Sequence, residues 1–204
     1  LLKLKMQFLL LKENLNWIII AAFFFCAGIG AAAFLYGNEN LFLGELTASQ
    51  YKMLQEMAEF IFTGHPLRGI FYLFIHNLLV SLQMMLLGAI IGVPPLLGLF
   101  ANGALLGSVA AALAREGMPV FSLMLLGILP HGIFELPALI FSAAFGLKTG
   151  FHLIFPLTGK KRGESLLTIW REYWSVFPLV LKLLILAAIL EVLVTPHLIQ
   201  QLIS

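Results

Sequence analysis

Five apolar stretches, each long enough to cross a bilayer, constrain this chain more than any other feature. They fall at about 17–36, 70–91, 96–114, 119–145 and 178–195, and charged residues are nearly absent inside them. A hydrocarbon core of about 30 Å takes about 20 helical residues. Inside lipid each backbone N–H and C=O must be satisfied within the segment, so only helices or closed barrels are admissible. Apolar runs of this length, without strict alternation, select helices. The expectation is an all-α polytopic transmembrane bundle, carried by one membrane domain over residues 1–204.

Composition agrees. Of 204 residues, 61% are hydrophobic and 11% charged, where a soluble domain has about a quarter charged. The net charge of +2 does not mark a nucleic-acid partner, because the basic residues follow topology rather than one stripe. Cys26 is the single cysteine, so an intrachain disulfide is excluded. The first apolar run is too long for a signal h-region and reads as a retained anchor.

The connecting segments set orientation. Residues 1–16 mix Lys3, Lys5 and Lys12 with leucines, as in an interfacial helix. Residues 44–63 carry Leu46, Met53, Leu54, Met57 and Phe60 at near-helical spacing, an amphipathic stretch expected on the outer surface and able to dock a partner. His65, before Pro66, reads as a surface turn residue. Gly92-Val93-Pro94-Pro95 reads as a tight turn between antiparallel spans. Residues 146–177 read as an inner basic loop with Lys148, Lys160, Lys161, Arg162 and Arg171, and Trp170, Tyr173 and Trp174 as an interfacial aromatic belt. With the N-terminus inside, Lys3, Lys5, Lys12, those five basic residues and a snorkelling Lys182 lie on the inner side. Only Lys52, Arg68 and Arg115 lie outside. This bias selects five spans, N-in and C-out, in the cytoplasmic membrane.

The fourth stretch contains Leu129-Pro130-His131-Gly132-Ile133-Phe134-Glu135-Leu136-Pro137. His131 and Glu135 are four residues apart on one helical face. Burying ionisable groups in lipid costs at least about 2.5 kcal/mol each, and Pro130 and Pro137 withhold backbone donors. A kink or break is therefore expected there, with Pro130, Gly132 and Pro137 as its hinge. At about 1.5 Å per residue, counting from Pro119, His131 lies roughly 18 Å below the outer surface. The second span brings His76 and Asn77, the third Asn102 and the fifth Glu191 into the outer half or middle. One shared polar cluster of His131, Glu135, Glu191, His76, Asn77 and Asn102 accounts for them together. Gly103 and Gly107 form a GxxxG pair for close helix packing, within the chain or in a homodimer.

Three readings of the cluster stay open. It could be structural, with neutral carboxyls and amides joining helices. It could bind metal, His131, Glu135 and Glu191 suiting Zn²⁺. It could serve ion-coupled transport at a hinged helix. No HExxH is present, and no residue is assigned as a catalytic nucleophile.

The run Ile128-Leu129-Pro130-His131-Gly132-Ile133-Phe134-Glu135-Leu136-Pro137 resembles the stage II sporulation protein M family. Asn77, Asn102-Gly103, Gly107 and the ending Glu191-Val-Leu-Val-Thr-Pro196 support it. The resemblance implies a five-span protein acting as a membrane scaffold or assembly component rather than an enzyme. In spore formers the name-bearing member works with stage II sporulation proteins D and P in engulfment and septal peptidoglycan remodelling. Partners of that envelope class are therefore expected beside the lipid bilayer. The alternative is a zinc-dependent membrane enzyme or an ion-coupled transporter using the same cluster.

Overall fold

The computed structural model describes residues 2–35 and 65–203. The amphipathic stretch expected at 44–63 lies outside them. The described residues are helical throughout: α1 (Leu2–Glu13), α2 (Leu15–Leu35), α3 (Pro66–Leu87), α4 (Val93–Arg115), α5 (Val120–Gly127), α6 (Leu129–Ile154), α7 (Arg162–Leu193) and α8 (Thr195–Ile203). Five helical stretches are long and apolar enough to cross a membrane: Leu15–Phe34, Pro66–Leu87, Val93–Arg115, Leu129–Ile154 and Arg162–Gln201.

Three boundaries differ from the sequence reading. Val93-Pro94-Pro95 is not the turn but the first turn of α4, with proline at the N-terminal positions where its missing N–H is harmless. The reversal lies just before it, at Ile91 (φ 54°) and Gly92 (φ 71°), both left-handed. The fourth stretch is two helices, α5 and α6, meeting at Ile128. Pro130 stands in the first turn of α6, where its ring is tolerated, while Pro137 is inside the helix. Gly132 donates its N–H to the Ile128 carbonyl (2.8 Å), as a helical residue does. The expected basic loop is also mostly helix. Only 155–161 separates α6 from α7, because Glu164 caps the start of α7 by accepting from the Lys161 N–H at 2.9 Å.

Glycines decide which helices touch. A Cβ on Gly28 would strike the Phe100 carbonyl, one on Gly103 the Phe25 carbonyl, and one on Gly107 the Ile29 carbonyl. The backbones of α2 and α4 are thus in direct contact, and the GxxxG pair is spent inside the chain. Gly88, Gly146 and Gly150 do the same where the end of α3 crosses α6: a Cβ on Gly146 would meet the Met84 carbonyl, and one on Gly150 the Gly92 nitrogen. Between these seams, α6 and α7 pack antiparallel around Ala138, Phe145, Ile169, Tyr173, Val176 and Val180. Tyr173 is 1% exposed and belongs to this core, not to an aromatic belt; Trp174 is exposed. The tyrosine ring packs on Phe145 and Phe177, with its hydroxyl 3.4 Å from Ser142 Oγ.

Candidate functional site

Each end of the α6/α7 pair carries a polar group. At one end, His131 and Glu135 on α6 face Glu191 on α7. One ligand-capable atom from each lies within 4.8 Å of the others, and all three residues are partly buried. The convergence follows from local structure. Four-residue spacing stacks His131 over Glu135 on one face of α6, and the antiparallel partner brings the last turn of α7 alongside. The site lies between two helix junctions, Ile128 joining α5 to α6 and Val194 joining α7 to α8.

Thr195, the first residue of α8, completes it. Its hydroxyl donates to the Leu190 carbonyl (3.3 Å) and lies 3.4 Å from His131 Nδ1. A hydroxyl that keeps this bond accepts from the imidazole N–H. In that tautomer the ring hydrogen is on Nδ1 and the lone pair on Nε2. Thr195 is 5% exposed. Nothing in the sequence marks Thr195 as a neighbour of His131, because the contact depends on α6 lying opposite.

The other expected members do not all join. Asn102 is exposed on α4 and donates to the Gly98 carbonyl of its own helix (2.8 Å), its one side-chain hydrogen bond among the described residues. An exposed amide satisfies its donor within its own helix, on the i−4 carbonyl. His76 stacks on Tyr72 of the same helix, with ring centroids 6.4 Å apart. Asn77 is buried on α3, and Ser81 one turn along is buried with no hydrogen-bond partner among the described residues. His76 is not among the three metal-capable side chains that converge.

The opposite end carries a group that the sequence reading missed. Lys148 of α6, 9% exposed, donates to Asn14 Oδ1 (2.7 Å) and pairs with the Glu172 carboxylate of α7. Asn14, between α1 and α2, also donates to the Leu10 carbonyl (2.8 Å). Nearby, Gln7 of α1 donates to the Ser175 carbonyl (3.0 Å). Lys148 was read as one more loop cation. The legible signal was a lone lysine inside Gly-Leu-Lys-Thr-Gly, a small-residue setting that suits close helix packing.

The two groups are separated by about one hydrocarbon thickness. At about 1.5 Å per residue, His131 is roughly 25 Å along α6 from Lys148, and Glu191 roughly 28 Å along α7 from Glu172. The sequence-based depth for His131 assumed one continuous helix from Pro119. Because α5 is separate, His131 stands near the far end of the spanning helix rather than at its middle.

Chemically, the first group offers one imidazole nitrogen and two carboxylates, a set suited to a divalent metal or to a shared-proton hydrogen-bond cluster. The second is a saturated ion pair, suited to fastening helices.

Comparison with known proteins adds family membership. The chain is 30% identical over 121 residues to an uncharacterized protein of Methanocaldococcus jannaschii, an alignment covering 59% of this chain and 67% of the relative. No solved structure matches the chain. The model of the family described as Stage II sporulation protein M matches residues 21–196, a span that holds both glycine seams, the His131–Glu135–Glu191 group and the Lys148–Glu172 pair. The chain belongs to the Stage II sporulation protein M family.

Proposed function

We propose that this chain is a membrane assembly component of the cytoplasmic membrane: a rigid helical platform, N-terminus inside and the end of α8 outside, that holds envelope proteins in place. The observation that carries the reading is where its close packing is spent. Glycine seams join α2 to α4 and α3 to α6 backbone to backbone, and Lys148 ties α6 to Asn14 and Glu172. Bundles fastened this way resist the rocking of one half against another that alternating access requires. Family membership supports the same reading. Partners of the peptidoglycan-remodelling class would dock on the outer stretch 44–63.

A photo-crosslinker placed at Gln55 or Glu59 in living cells tests this. Adducts containing a peptidoglycan-active protein are expected. Adducts with lipid alone would sink the platform reading.

A second reading, a metal-dependent membrane enzyme, is favoured by the meeting of His131, Glu135 and Glu191. Hydrolytic activity that vanishes in Glu135→Gln while the protein stays folded would favour it over the platform.

A further inference from the structure

We propose that His131, Glu135 and Glu191 bind one divalent transition-metal ion, zinc foremost, and that Thr195 positions the imidazole for it. The inference is independent of the platform role, since a platform could exist with or without the ion.

Distance is the first support. On tetrahedral zinc, with bonds of about 2.0–2.2 Å, neighbouring ligand atoms stand about 3.4 Å apart. The three atoms here already lie within 4.8 Å of one another, so small side-chain adjustments close the remaining gap. Charge is the second. Two carboxylates that face each other among apolar helices repel strongly in a poor dielectric. One dication between them brings the set to neutrality.

The third support is the tautomer. The tautomer in which Thr195 accepts from His131 Nδ1 leaves on Nε2 the lone pair that a metal requires, with the Thr195 contact holding the ring. The three ligands and Thr195 also come in two facing pairs. His131 and Glu135 are four apart on α6; Glu191 and Thr195 are four apart across the α7–α8 junction. The ion would therefore staple the two helices next to the points where both are interrupted.

The donor set narrows the metal. Imidazole with two carboxylates suits zinc and its first-row neighbours better than calcium or magnesium, which take all-oxygen shells. No fourth His, Cys, Asp or Glu joins the group among the described residues. Three protein ligands leave one coordination position for solvent, the pattern of zinc sites that keep an open position.

The test uses full-length protein purified without a polyhistidine tag. Plasma mass spectrometry should find about one zinc per chain, as a single three-ligand site requires. Chelation should lower the melting temperature in detergent, and zinc alone should restore it. Glu191→Gln should lose both the metal and the response to chelator. Thr195→Val should keep the site but weaken zinc binding by about 10–100-fold, the usual effect of removing a group that orients a ligand. His197→Ala, an exposed neighbour on α8, should change nothing.

Cobalt serves as a second readout should Glu191→Gln fail to fold. Chelated wild-type protein given cobalt should show the visible absorption of a four-coordinate ion, lost on adding zinc. Melting insensitive to both chelator and zinc would overturn the proposal. So would metal retained by folded Glu191→Gln, which would mark surface binding only.

Discussion

Lys148 shows how a charge survives inside an apolar bundle. Its ammonium meets Asn14 Oδ1 and the Glu172 carboxylate, so one cation links the α1–α2 junction, α6 and α7. Removing one partner from such a pair strands the other. Lys148→Met should therefore destabilise the protein by about 3 kcal/mol. The double variant Lys148→Met with Glu172→Leu should recover most of that loss, because neither charge is left behind. Melting in detergent reads both, and a double variant as unstable as the single one would show that packing, not charge, made Lys148 matter. The charges of Lys148 and Glu172 are plain in the sequence. Their pairing is not, because they stand on two antiparallel helices and their partner Asn14 comes from a third segment.

At the level of helices, glycine placement is the organising device. Gly103 and Gly107 were readable as a packing motif, but their partner was not: the pattern serves a homodimer as well as an internal crossing. The structure spends it on α2, where Gly28 answers from the other side. Gly103→Leu should force α2 and α4 apart and cost about 1–3 kcal/mol, as overpacking does. Gly30→Ala, on the same α2 helix with nothing within 4 Å, should be neutral or stabilise by about 0.5–1 kcal/mol through helix propensity. Thermal melts of the two variants check this contrast. A Gly103→Leu protein with unchanged stability but a smaller particle on gel filtration would move the motif back to a dimer interface. The α3/α6 seam escaped the sequence reading because Gly88 and Gly92 straddle a helix end and a turn, where helical periodicity stops.

For the whole molecule, orientation is the outstanding quantity. Basic residues gather at the α1 end and around the α6–α7 connection, so the Lys148 end should face the cytoplasm and the His131 end should face out. In a Cys26→Ala background, a cysteine at Gly163, which has nothing within 4 Å of its Cβ position, should resist impermeant thiol reagents in intact cells. It should react once the membrane is opened. Ready labelling from outside would invert the molecule and carry the proposed metal site to the cytoplasmic face.

The sequence by itself determined the class of solvent and the type of element. Long apolar runs leave the backbone no choice but helix, and five candidate spans follow from their lengths. It also marked His131, Glu135 and Glu191, because ionisable groups in lipid are costly enough to stand out. Only the tertiary structure decided which polar groups meet. Asn102 is exposed and donates within its own helix, Tyr173 is core, Thr195 lies beside His131, and Lys148 finds partners on two other segments. The reason is physical: hydropathy fixes how deep a residue can sit, whereas rotation about the helix axis and the choice of neighbour come from glycine contacts and side-chain packing between helices.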